Sequence, residues 1–207
     1  MTTELNITVE VVEEAGFLPA LMGLGLSYGV TSEHAPGDIQ LELPESMKLV
    51  ARAEALAPLD KGHNKFLESI QVWLDIKMPR YWWQEFDTYR VGVTKQSEST
   101  MHTIAKRKLT QNDFVSPISA LYLAKLNSLV EKIKAKDSLA PDLYFRELKN
   151  LLPEGFVQRR IVCLNYKVLR HMYLQRHDHR LIEWQYFFSK LLSQVESPEF
   201  ITERKRK

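Results

Sequence analysis

The chain is predicted to fold as a single α+β domain, a central antiparallel or mixed sheet packed with several helices. Three observations carry that expectation. Ile70, Val72, Leu74 and Ile76 alternate with Gln71, Trp73, Asp75 and Lys77, the period-two pattern of a strand with one buried face. Pro117–Lys136 places Ile118, Leu121, Leu126, Leu129, Val130 and Ile133 on one apolar stripe at helical spacing. A strand through Arg159–Leu164 runs into a further helix for which Asn165 is the cap. No internal repeat or interdomain linker interrupts the chain, so 1–200 is read as one domain and 201–207 as a charged tail.

The remaining elements follow in order. Ile7–Val12 reads as a strand and Phe17–Tyr28 as an apolar helix that tolerates two glycines. Thr31–Leu43, with Pro36-Gly37-Asp38, reads as an exposed loop. A helix starts near Pro44, sets Met47, Val50, Ala51 and Ala55 inward, and ends before Pro58; Asp60-Lys61-Gly62 makes the turn. Pro79 ends the strand of the seventies and opens an aromatic helix, Tyr81–Arg90, while the polar, poorly periodic Val91–Met101 is predicted to be a loop. Asp142–Leu151 is helical up to Pro153, and Arg180–Val195 forms the last helix.

Composition narrows the function classes. With 207 residues, 44% hydrophobic and 26% charged, the chain is long enough to bury a substantial core. One cysteine, Cys163, excludes an internal disulfide framework and cysteine-rich metal sites; its apolar neighbours Ile161, Val162 and Leu164 predict a buried structural thiol. No apolar run approaches the roughly 20 residues that span a bilayer, and the N-terminus lacks a secretory pattern, so a cytoplasmic protein is expected. The phosphate-cradling glycine loops and the H-E-x-x-H zinc motif are absent. Of His171, His177 and His179, the last two point to different sides of a helix or sit in a turn, and Asp178 is the one carboxylate beside them, so no metal is expected. Trp82-Trp83 suits a core or an interface better than base stacking.

The segment Leu152–Arg180 concentrates Arg159, Arg160, Lys167, Arg170, Arg176 and Arg180 against Glu154 and Asp178, in a chain whose net charge is only +2. Such a segment is either a solvated helix surface or the footprint of a phosphate-bearing partner. The near-neutral total disfavours a nucleic-acid module. On a helix, Asn165 and Arg176 lie about three turns apart on nearly one side, whereas Lys167 and His171 are i,i+4 neighbours on another.

Two stretches resemble the flavin-dependent thymidylate synthase family. Gly62-His63-Asn64-Lys65-Phe66-Leu67-Glu68-Ser69 is similar to its G-H-x-x-x-x-E-H turn, followed by a strand, Pro79 and a helix. Leu152-Pro153, Asn165, Arg176 and Asp178 repeat the spacing of its second half, so the resemblance spans roughly Leu24–Phe188. It implies a mixed α/β homotetramer with inter-subunit sites. The implied reaction methylates dUMP at uracil C5 with FAD as cofactor and methylenetetrahydrofolate and NADPH as co-substrates; reduced flavin does the carbon and hydride chemistry. It further implies that Ser69, Asn165, Lys167, His171 and Arg176 contact FAD, and that Arg176 also stabilises charge on the pyrimidine. Glu85, Arg90, Gln96, Ser99 and Lys149 fall where the family holds dUMP.

The chain departs from the pattern at several of these positions. Ser69 replaces a histidine, Lys149 an arginine and Glu85 a glutamine. The central signature R-H-R-x-x-S-x-N-E-x-S-x-R-Y reads Thr88–Met101 here, keeping Arg90 but putting Thr100 or Met101 at its last arginine, with Lys95 a nearby substitute charge. Those departures leave two alternatives open: a related pyrimidine-nucleotide hydroxymethylase, or a non-catalytic descendant acting as a partner subunit.

Overall fold

Four strands are interspersed among runs of helices along the described chain. The computed structural model describes residues 5–29, 44–59, 62–135 and 141–203. The strands are β1 (Thr8–Ala15), β2 (Gln71–Pro79), β3 (Val93–Ser97) and β4 (Val157–Asn165). The helices are α1 (Phe17–Leu26), α2 (Pro44–Leu56), α3 (Arg80–Phe86), α4 (Thr100–Thr103), α5 (Ala120–Lys134), α6 (Pro141–Leu151), α7 (Tyr166–Arg176), α8 (Ile182–Leu192) and α9 (Glu199–Thr202). The strands pair in one antiparallel sheet of order β1-β2-β4-β3. The register of β2 on β4 is fixed at both ends, by Tyr166 N–H to the Ile70 carbonyl and Arg80 N–H to the Phe156 carbonyl, both 3.0 Å.

The α+β expectation holds, with local corrections. Val91–Met101 is not a loop: it contains β3 and the start of α4. The strand escapes notice because it lies at the sheet edge, where polar residues are tolerated, and its only apolar residue is Val93. The aromatic helix stops at Phe86 instead of Arg90, with Asp87 as its C-cap. Ala53 on α2 and Ala57 just past its end are buried, while Ala51 and Ala55 are exposed. Leu121 is 84% exposed. The buried stripe of α5 runs through Leu126, Leu129 and Val130, which turns Leu121 outward. Cys163 is half-buried, and burial raises its thiol above the usual range. Ile201, at the start of the predicted tail, is buried within α9. The predicted loop Thr31–Leu43, Asp60-Lys61 and 204–207 lie outside the described residues.

The chain forms two compact units. The first comprises Met1–Val9, Asp75–Thr88 and Lys95–Ile161; the second comprises Glu10–Leu74, Tyr89–Thr94 and Val162–Lys207. In the first, α5 and α6 pack around Ile104, Leu109, Phe114, Leu126, Leu129, Val130, Leu148, Leu152 and Phe156. Trp82, Trp83 and Phe86 are buried on α3, and the Trp83 indole N–H donates to the Gln158 carbonyl at 3.0 Å, so the tandem tryptophans serve the core. In the second, Phe17, Phe66, Tyr166 and Phe200 form an aromatic cluster with centroids 5.6–6.5 Å apart. It seats α1 and α9 against the start of α7.

Candidate functional site

Helix α7 is the axis of the second unit's polar cluster. Its start is fixed by Asn165, whose Oδ1 accepts from the Val168 N–H at 3.0 Å, as the sequence predicts. Gly92, at φ +69°, comes so close that a Cβ there would lie 3.1 Å from Asn165 Nδ2 and 3.2 Å from Val168 Cγ2. The 89–92 turn thus covers Asn165, which is buried. Lys167, two residues along, pairs with Glu68 and ties the 3-10 turn Lys65–Glu68 and the adjacent Ser69 to the helix. Ser69 is exposed, and its carbonyl would stand 2.2 Å from a Cβ on Gly16, at φ +96°. Only glycine permits that approach of the β1–α1 turn.

The far end of α7 carries a chain of side-chain hydrogen bonds. Arg176 Nε donates to the Tyr89 hydroxyl at 3.1 Å, and that hydroxyl donates to Gln175 Oε1 at 2.8 Å. Gln175 Nε2 lies 3.0 Å from His171 Nε2. The Arg176 guanidinium also stands 5.5 Å from the Trp184 ring centre and 3.1 Å from His179 Nε2. The sequence segments around Glu68, Arg90 and Asn165–Arg176 therefore meet along one helix. Beside them a cavity of about 530 Å³ opens between α1, α2 and the 3-10 turn. Its floor is Pro19, Ala20, Leu24 and Phe66; His63, Lys65, Glu68 and Ser69 line its polar side.

The first unit holds a separate set. Lys149, on α6, donates to the Thr100 hydroxyl at 2.5 Å. Burial first, and the neighbouring Arg80 second, hold its ammonium below the usual lysine value. Arg80 itself pairs with Glu154 at 3.4 Å and donates to the Leu152 carbonyl at 2.9 Å. Ser99, exposed, accepts through its carbonyl from the His102 and Thr103 N–H groups. Glu85 is half-buried on α3 and Gln96 exposed on β3. Arg90, in the second unit, is exposed.

Much of the basic segment is neutralised by partners distant in sequence. Arg159 makes a bidentate pair with Asp75, Arg160 pairs with Asp87 and stacks over Trp83 at 4.2 Å, and Arg170 is buried with its NH1 on the Ile201 carbonyl. Lys95 is not a spare charge: it pairs with Asp87 at 2.7 Å. Burial raises the Asp87 pKa, but hydrogen bonds from Lys95 and Arg160 outweigh it and hold the carboxyl below its ordinary value. His177 stacks near Tyr173 and contacts Asp178, and no group of metal-ligating side chains forms among the described residues. Tyr89 and Gln175 escape a sequence reading. The one available signal was Tyr89's place beside Arg90, at the histidine of the family's R-H-R.

These features define a mixed α+β protein with a polar helix-lined cluster in one unit and a cationic position in the other. No protein-family model and no curated protein matches the chain in sequence. Among solved structures it is similar to thymidylate synthase X from Helicobacter pylori with FAD and dUMP. The TM-score is 0.69 at 16% identity, covering 95% of this chain and 97% of the other. A second structure of the flavin-dependent thymidylate synthase from Helicobacter pylori, also complexed with FAD and dUMP, gives 0.69 and 16% over 94% and 97%. The chain has the fold of flavin-dependent thymidylate synthases over nearly its whole length. No described helix is long and apolar enough to cross a membrane.

Proposed function

We propose that the protein is a divergent flavin-dependent thymidylate synthase that binds FAD and methylates dUMP at C5. The observation that carries the reading is the convergence, on this fold, of the segments that resemble the family: Glu68-Ser69, Tyr89-Arg90 and Asn165–Arg176 all lie along α7. The residues suit the cofactor. An apolar cavity floor next to Ser69, Lys65 and the Glu68–Lys167 pair offers a surface for a planar ring and polar groups for its substituents. Ser69, Lys167 and His171 hold the dinucleotide, and Asn165 serves by capping the helix that carries them. Bound FAD would supply the one-carbon and hydride chemistry, with methylenetetrahydrofolate and NADPH as co-substrates. Arg176 faces charge that develops on the pyrimidine. Lys149, with Thr100 and Arg80 beside it, takes the nucleotide phosphate in place of the missing signature arginine; Glu85, Arg90, Gln96 and Ser99 complete the nucleotide contacts. Lysine keeps the charge but not the bidentate fork, so dUMP binds more weakly than to an arginine. The working form is a homotetramer.

A second reading is favoured by one observation. Met101 is exposed and Lys95 is committed to Asp87, so the signature's lost charge is not restored from β3. On that reading the chain is a non-catalytic subunit that retains flavin. Yellow purified protein with flavin released on denaturation supports either. Release of tritium from [5-³H]dUMP with FAD, NADPH and the folate supports the enzyme, and the product mass separates a methyl from a hydroxymethyl group. Flavin binding without tritium release leaves the subunit reading, and a colourless protein that ignores added FAD removes both.

A further inference from the structure

We propose that Tyr89 is a positioning residue for Arg176, fixing its guanidinium through a hydrogen bond whose direction Gln175 sets. The inference deepens the reading of Arg176 as the cation facing the pyrimidine and rests on it for its functional consequence. The donor and acceptor roles in the chain follow from chemistry. A guanidinium Nε–H can only donate, so the Tyr89 oxygen 3.1 Å away must accept. The one phenolic proton of Tyr89 is then left to donate to Gln175 Oε1 at 2.8 Å. With its oxygen used, the Gln175 amide turns Nε2 toward His171, 3.0 Å away, and that donor is met when His171 Nε2 is the unprotonated nitrogen. Every link is oriented, and reversing one requires reversing the next.

The ring of Tyr89 is itself immobilised. It is 8% exposed and packs edge-on against Trp184 and His171, with centroids 6.3 and 6.0 Å apart. Trp184 is fully buried and also lies 5.5 Å from the Arg176 guanidinium. The arginine is therefore held on two sides by groups that cannot move with it. An unrestrained arginine surrenders rotamer entropy when it is ordered by a ligand. Here that ordering occurs on folding, so nucleotide binding need not supply it. Phenylalanine at 89 would keep the ring packing and remove only the hydroxyl.

The test uses the full-length protein in two measurements. The first follows solvent exchange of the Arg176 side-chain Nε–H by NMR without ligand, the signal being assigned by its loss in Arg176→Lys. Tyr89→Phe is expected to accelerate that exchange tenfold or more, and Gln175→Leu, at an exposed position that does not disturb the core, about threefold. The second is dUMP titration of FAD-loaded protein, where both variants should lose affinity, Tyr89→Phe about tenfold, with flavin content unchanged. Unaltered Nε–H exchange in Gln175→Leu and in folded Tyr89→Phe overturns the proposal, whatever happens to dUMP. Faster exchange with unchanged dUMP affinity overturns its functional half. Accelerated exchange in the variants, together with a wild-type protein that takes up neither FAD nor dUMP, supports the positioning and removes the nucleotide reading on which it was built.

Discussion

Lys149 donates to the Thr100 hydroxyl at 2.5 Å, which puts a lysine ammonium against one of the two residues, Thr100 and Met101, that the sequence offers for the resembling family's last signature arginine. Burial and Arg80 both disfavour its charge, so it loses its proton at lower pH than an ordinary lysine. Phosphate binding needs the protonated form. Affinity for dUMP is thus expected to be full below the lowered pKa and to fall as pH rises through it, before the reference lysine value near 10.4. Lys149→Arg should flatten that profile. Stability moves the other way: between the folded and ordinary values the unfolded chain holds more protons, so stability rises with pH. Lys149→Met should accordingly keep or slightly raise the melting temperature while weakening dUMP binding about tenfold or more, as calorimetric titration would show.

Asp113 anchors the loop before α5. Its carboxylate accepts from Arg107 NH1 at 2.8 Å and from the Thr110 N–H at 2.7 Å. Burial raises its pKa, but these bonds outweigh burial and leave it lowered. The stabilisation is present above the ordinary carboxylate range and is lost as pH falls through the lower folded value. Asp113→Asn is expected to cost about 2–3 kcal/mol at neutral pH, typical for lost hydrogen bonds to a charged group. The cost should shrink in acid. Urea denaturation at two pH values checks both statements.

Gly16→Ala should be among the more damaging single substitutions in the second unit. The added Cβ would stand 2.2 Å from the Ser69 carbonyl oxygen, and φ +96° is strained for any side chain. A loss of about 2 kcal/mol or more is expected in thermal denaturation. If Ser69 contacts flavin, FAD affinity should fall with it; a variant of wild-type stability would mean that the turn relaxes freely.

The basic segment should not behave as a nucleic-acid surface. Arg159, Arg160 and Lys167 are each matched by a carboxylate, and Arg170 is buried. Single-stranded DNA should show no tight, steeply salt-dependent binding in fluorescence anisotropy at physiological salt. Asp75→Asn, which unmasks Arg159, should raise whatever weak binding exists.

Local pattern was sufficient for most elements. The alternation from Ile70 to Ile76 specifies β2 because a strand's side-chain period is two, and Asn165 announces the start of α7 because its short polar side chain can cap a helix. The resemblance that led to the shared fold was also legible, in the Glu68-Ser69 turn and the spacing from Pro153 to Arg176. Tertiary structure alone decided where charge survives. Asp75, Asp87 and Glu68 lie 84, 73 and 99 residues from Arg159, Arg160 and Lys167, the cations of the basic segment that they neutralise, and no short window of sequence contains such a pair. The same holds for β3, whose polar residues become a strand only because β4 offers an unpaired edge, and for Tyr89, whose hydroxyl finds Arg176 across a separation of 87 residues. Periodicity reports how a segment meets the core; electrostatic partnership depends on which segments folding brings together.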